Sequence, residues 1–168
     1  PCLPPVDGYR HLAEVAAWNR LVHDAVHGEL ASGRLPILLG GDHSLAIGSI
    51  AAVGRHCRET GKRLRVLWLD AHADFNTAET TPSGNIHGMS LAILCGLGDK
   101  SLVQLWDEPV PVIDPKNIAI IGARDLDEGE KKNLQNAGAM VQGMEQIDRY
   151  GMVACLEKAI ERVSRNVD

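Results

Sequence analysis

The chain has 168 residues, 45% of them hydrophobic and 4% aromatic, with a formal net charge of -5. That is enough chain to bury a core in one globular α/β domain, and its acidic balance gives no support for binding nucleic acid or an anionic membrane. No apolar run approaches the roughly 20 residues a transmembrane helix needs, no signal peptide is visible, and Cys2, Cys57, Cys95 and Cys155 are scattered without a C-x-x-C pair, as expected of reduced thiols in a cytoplasmic protein.

Residues 12–30 carry apolar side chains at helical spacing (Leu12, Val15, Ala16, Val22, Val26, Leu30), with Gly33 as a stop. Residues 36–39 read as a short strand broken by Gly40-Gly41, 45–58 as a helix and 64–69 as a second strand. A polar loop, 70–86, is long for an α/β connection, and loops of that kind are usually functional. A helix from about Met89 to Leu94, a strand at 118–121, a charged helix at 128–137, a strand beginning at Met140 and an amphipathic helix at 153–163 complete the pattern. Strands alternating with helices predict a parallel sheet covered on both faces. His11, His23, His27 and His56 fall on helix faces without partners at ligand spacing and are expected in solvent, while Trp18, Trp68 and Trp106 are expected as packing residues.

Asp70-Ala71-His72-Ala73-Asp74 directly follows the apolar run Val66-Leu67-Trp68-Leu69. If the backbone stays extended, Asp70, His72 and Asp74 project to one side at the carboxyl end of a strand, where open α/β sheets place their sites. Two carboxylates and an imidazole form a ligand set for a divalent metal, although the same pattern also occurs as an inert polar strand exit. Gly40-Gly41-Asp42-His43-Ser44 ends another strand. Asp42 or Ser44 can cap the helix that follows, and His43 faces the same crevice as a further ligand. Ser83-Gly84-Asn85-Ile86-His87-Gly88 closes the long loop with a histidine suited to proton transfer. Arg124-Asp125-Leu126-Asp127-Glu128-Gly129-Glu130 follows the strand at 118–121, where acids in the first turn of a helix ordinarily complement its dipole.

Taken together, Gly40-Gly41-Asp42-His43-Ser44, Asp70-Ala71-His72-Ala73-Asp74-Phe75-Asn76 and His87-Gly88-Met89 resemble the arginase (ureohydrolase) family in order and spacing over nearly the whole chain. The resemblance implies a three-layer arginase-like α/β fold with a central parallel sheet, and a single partial domain spanning residues 1–168. It also implies two manganese ions: His43, Asp70 and Asp74 match ligands of one, Asp70 and His72 match ligands of the other, and Asp70 bridges them. Asn76, Thr81 and Ser83 match residues that hold the α-carboxylate of L-arginine, a group agmatine lacks. Asp127 and Glu130 match residues near its α-amino group, and His87 matches the proposed proton shuttle. The reaction implied is metal-assisted hydrolysis of the guanidinium group to L-ornithine and urea, with Asp74 relaying a proton to the leaving amine. Ser90 stands where the family commonly has proline after His-Gly-Met, a change expected to loosen the helix start.

A further aspartate-rich metal motif of the family has no counterpart here, and the first family strand is also missing, so the chain is expected to be an internal fragment, incomplete at both ends. Two divalent ions carry a formal charge of about +4 against about -2 from Asp70 and Asp74. The isolated chain is therefore expected to bind at most one ion well and to be catalytically poor. An arginase whose full-length form is a cytoplasmic homo-oligomer, trimer or hexamer, is the leading reading. The alternatives are an agmatinase or other guanidino hydrolase, and a non-catalytic metal-binding remnant.

Overall fold

The computed structural model describes residues 4–106 and 109–165. Cys2 lies outside them, while Cys57, Cys95 and Cys155 are free thiols. Three strands form one parallel sheet in the order β1 (Val66–Leu69), β2 (Ile118–Ala123), β3 (Met140–Gly143). The central strand β2 is buried along its whole length, as a strand covered on both faces must be. Its side chains alternate: Ile118 and Ile120 pack with Val66, Trp68, Phe75 and Leu91, whereas Ala119 and Ile121 face Ala159 and Val163. Those last two belong to α7 (Met152–Ser164), so the period-2 pattern of one strand divides the core between two helical layers.

On the first face lie α1 (Leu12–Ala31), α2 (Ala46–Glu59), the short α3 (Ser90–Leu94) and α4 (Lys100–Val103), with α5 (Glu128–Ala137) contributing Leu134. The α6 segment (Met144–Tyr150) leads from β3 into α7. Helices α1 and α2 are joined by the fully buried Asn19, whose Oδ1 accepts from Gly48 N at 2.6 Å and whose Nδ2 donates to Val15 O. A Cβ at position 48 would lie 2.4 Å from the Asn19 carbonyl oxygen, so this crossing requires glycine. No helix among the described residues is long and apolar enough to cross a membrane.

Four expectations are corrected. Residues 36–39 are not a strand: residues 34–39 have no ladder partner among the described residues, and Leu35, Ile37 and Leu39 are 79–88% exposed. An apolar run becomes a strand only where a neighbour accepts its hydrogen bonds. His23 is fully buried rather than solvated, stacked on Trp106 with ring centroids 4.3 Å apart. His27 is not free either, because its Nε2 lies 2.8 Å from Glu59 Oε2. Trp18 is mostly exposed and not a packing residue in this chain.

Ile120 is fully buried at the centre of the sheet, and its truncation to alanine is expected to cost about 3–4 kcal/mol. Trp18→Ala, at 62% exposure, is expected to change stability by no more than about 0.5 kcal/mol. Urea denaturation of the two variants measures both.

Candidate metal centre and substrate cavity

The strand β1 ends at Leu69, and the chain then turns instead of running on extended. Asp70 Oδ1 accepts from His72 N at 2.9 Å, and Asp74 has φ 50. Strand alternation therefore does not bring the D-x-H-x-D side chains together; a side-chain-stabilised turn and a left-handed residue do. The loop is laced to the end of β2, with Asp70 N donating to Ile121 O, and Arg124 N and Asp125 N both donating to Ala71 O at 2.9 and 3.1 Å.

His43 reaches the same place from a different turn. Gly40 and Gly41, at φ 90 and 76, carry the chain round into a 3-10 turn, His43–Leu45, that leads into α2. Asp42 caps that turn by accepting from Ser44 N at 2.9 Å, as its sequence position predicts. Burial alone would raise the Asp42 carboxyl, but the bonds from Ser44 and the neighbouring His87 bring it below the usual range. Ser90, fully buried, does not loosen the start of α3: its Oγ lies 3.0 Å from His43 O and 3.3 Å from His87 O, so its hydroxyl ties the two histidine-bearing turns together.

Among the described residues, one ligand atom each from His43, Asp70 and Asp74 falls within 4.8 Å of the others. His43 Nδ1 is 2.8 Å from Asp74 Oδ2 and 3.2 Å from Asp70 Oδ2. The other oxygen of Asp70, Oδ1, lies 3.3 Å from His72 Nδ1, so Asp70 stands between two imidazoles. The far side of the His72 ring faces Asp125 Oδ2 at 3.4 Å. Asp74 Oδ2 is buried and has no hydrogen-bond partner that meets the geometry of one, although His43 Nδ1 stands 2.8 Å from it. An orphaned carboxylate oxygen beside an imidazole nitrogen and a second carboxylate fits a divalent cation. Contact with Asp74 raises the His43 imidazole above its ordinary range; burial opposes this, and the charges of Asp74, Asp70 and Asp42 add to it. Behind His43, Trp68 of β1 stacks at 4.2 Å and fixes the plane of the ring.

Next to this cluster is a cavity of about 190 Å³ lined by His72, Asp74, Asn76, Thr81, Pro82, Ser83, Asn85, His87, Gly88, Asp125, Asp127 and Glu130. Asn76 is buried, donating through Nδ2 to Asp127 Oδ2 and accepting at Oδ1 from Thr80 Oγ1, both at 2.9 Å. Thr81 Oγ1 accepts from Gly84 N, and Ser83 Oγ from Asn85 N, which leaves both hydroxyl protons available to an anionic ligand. His87 is half exposed at the rim, with Nδ1 3.8 Å from Asp42 Oδ2. Asp127 is exposed at the start of α5, whereas Glu130 is buried, and desolvation raises its carboxyl above the usual range against the hydrogen bonds it accepts. Sequence reasoning missed Asn85 and Asp125 as cavity residues and Trp68 as a support. Asn85 lies inside the Ser83–Gly88 motif, and Asp125 is two residues from Asp127, so the first two had a signal within motifs already singled out.

Fold and site together define an α/β protein that gathers carboxylates and imidazoles at the carboxyl edge of a parallel sheet, in a group able to hold a divalent cation. Residues 5–168 match the Arginase family, and the chain belongs to that family. It is 44% identical over 155 residues to the arginase of Bacillus subtilis (strain 168), covering 92% of this chain and 51% of that protein. With the Bacillus caldovelox arginase it shares 45% identity over 159 residues, covering 95% and 52%. The crystal structure of the Bacillus cereus arginase superposes with a TM-score of 0.88 at 47% identity, over 94% of this chain and 53% of that one. The chain thus spans about half the length of the relatives it matches.

Beside the cavity, α5 packs closely against the loop. A Cβ at Gly129 would lie 2.7 Å from Thr80 Cβ. Thr80 Oγ1 in turn accepts from Thr77 N and donates to Asn76 Oδ1. Gly129→Ala is expected to cost about 1–3 kcal/mol through this clash. The sign is opposite to the gain of about 1 kcal/mol that the same change gives in an unobstructed helix, and thermal denaturation distinguishes the two.

Proposed function

We propose that this chain supplies part of the active site of a manganese-dependent arginase, which hydrolyses L-arginine to L-ornithine and urea. The observation that carries the reading is Asp70, with one carboxylate oxygen toward His43 and Asp74 and the other toward His72. That arrangement suits a carboxylate shared by two cations. His43, Asp70 and Asp74 would hold one ion; Asp70 and His72 would contribute to the second. Bound divalent ions supply Lewis acidity that makes water a nucleophile at neutral pH. The three free thiols suit a cytoplasmic setting.

The remaining work falls to residues of the cavity. Thr81 and Ser83, with Asn76 behind them, suit the α-carboxylate of the amino acid, since each hydroxyl has a proton to donate. Asp127 is exposed and anionic, as the α-amino group requires. The guanidinium end would then point toward Asp74, whose buried carboxylate would pass a proton to the leaving amine, while His87 at the rim would exchange protons with solvent.

The test is urea release with manganese from L-arginine and from agmatine, assayed on the protein in its full natural length. Arginine is expected to be preferred by about 100-fold or more, because agmatine leaves the carboxylate donors unpaired. A preference for agmatine overturns the substrate assignment, and no urea from either overturns the enzymatic reading. For the 168-residue chain by itself, calorimetry with manganese is expected to count no more than one tight equivalent. Two imidazoles and two carboxylates leave the second ion with only Asp70 and His72.

A further inference from the structure

Glu130 sits in the wall of the cavity, but its contacts run to backbone. Its Oε1 accepts from Phe75 N at 2.8 Å, and the backbone of Asp127, where α5 begins, also favours its charged form. The side chain is 3% exposed. The N–H it grips belongs to the peptide that joins Asp74 to Phe75. The carbonyl of that same peptide, Asp74 O, accepts from Leu91 N at 3.0 Å and Ala92 N at 3.4 Å. One peptide plane is therefore held at both ends, by a carboxylate on one side and by the first turn of α3 on the other. Asp74 is a non-glycine residue at φ 50, a conformation that costs on the order of 1–3 kcal/mol and persists only where its surroundings enforce it. Holding the plane restricts rotation about the Asp74 Cα–C bond, and with it the direction in which the Asp74 side chain leaves the backbone.

We propose that Glu130 is a positioning residue for Asp74, locking the Asp74–Phe75 peptide so that the Asp74 carboxylate points at His43, rather than a group that touches the substrate's amino end. The proposal rests on the metal reading of His43, Asp70 and Asp74 for its affinity readout, but not for its backbone readout. What the staple requires is a hydrogen-bond acceptor at Oε1, not a charge. Glu130→Gln keeps an acceptor oxygen there, and Glu130→Ala removes it.

The experiment titrates manganese(II) calorimetrically into the 168-residue chain and into its Glu130→Ala, Glu130→Gln and Leu134→Ala variants. Hydrogen exchange at the Phe75 amide is followed in the same proteins without metal. Leu134 is a buried core residue of α5 that makes no bond to the peptide, so its truncation controls for simple loss of stability. Glu130→Ala is expected to weaken manganese binding about 10- to 100-fold, the range typical of lost outer-sphere partners. It should also speed Phe75 exchange about tenfold or more relative to neighbouring core amides. Glu130→Gln is expected to stay within about threefold of the parent on both counts, and Leu134→Ala to leave affinity near the parent value. Parent-like behaviour of Glu130→Ala, failure of Glu130→Gln to rescue, or an equal loss in Leu134→Ala overturns the proposal. If the parent chain takes up no manganese, the metal reading falls, and Phe75 exchange alone decides: unchanged exchange in Glu130→Ala then overturns the staple.

Discussion

The left-handed backbone at Asp74 is the constraint on which the site depends. It buries a carboxylate against His43 and turns the chain so that the next residue, Phe75, is fully buried in the main core. A residue in this conformation relaxes unless its neighbours hold it. Here they do so on every side: Leu91 and Ala92 bind its carbonyl, Asn76 N donates to Gly88 O, and Asn133 Nδ2 donates to Phe75 O. Three segments distant in sequence, the β1 loop, the turn before α3 and the face of α5, are thereby tied to one point.

The same point concentrates negative charge. Asp42, Asp70, Asp74, Asp125, Asp127 and Glu130 all lie on the cluster or the cavity wall, in a chain whose net charge is -5. Asp42, Asp125 and Asp127 keep solvent contact, but burying Asp74 and Glu130 among them is unfavourable unless cations or donors compensate. Backbone N–H groups compensate some of it: His72 N serves Asp70, Ser44 N serves Asp42 and Phe75 N serves Glu130. Asp74 Oδ2 has no such donor. The unsatisfied demand for positive charge is therefore local and sits where His43 and Asp70 also converge, while the exposed Asp127 places a second demand at the far end of the cavity.

Much of this was legible in the residues. The parallel sheet covered on both faces followed from the alternation of apolar runs and helical periods, and the strand at 118–121 is its buried centre. The metal-ligating types at 43, 70, 72 and 74 were visible as motifs. How they converge was not. Extended alternation would have pointed Asp70, His72 and Asp74 one way, whereas the turn at Asp70 sends His72 toward Asp125 and leaves Asp74 beside His43. That outcome depends on bonds from β2 and α3, which no local pattern encodes. Residues 36–39 misled for the opposite reason: their composition suits a strand, but strand formation requires a partner, and none of the described segments pairs with them. His23 shows the same limit on a helix, where a polar residue is buried because Trp106, more than 80 positions away in sequence, stacks on it.

The cavity divides its work between backbone-anchored and free groups, and that division says which side chains can discriminate between ligands. Asn76 and Glu130 have their polar atoms committed to protein partners, so they shape the wall without being available to change partner. Thr81 and Ser83 use their oxygens as acceptors within the loop and keep protons to give, which suits an anion. Asp127 keeps solvent access, which suits a cation. A ligand carrying both charges a short distance apart would satisfy both ends at once, whereas one lacking the anionic group would cover two half-buried hydroxyl donors without pairing them. A donor that loses water and gains no partner costs more than a matched pair gains. On the arginase reading proposed above, discrimination between an amino acid and its decarboxylated analogue would follow from the penalty at Thr81 and Ser83, independently of what the His43–Asp70–Asp74 group engages at the other end.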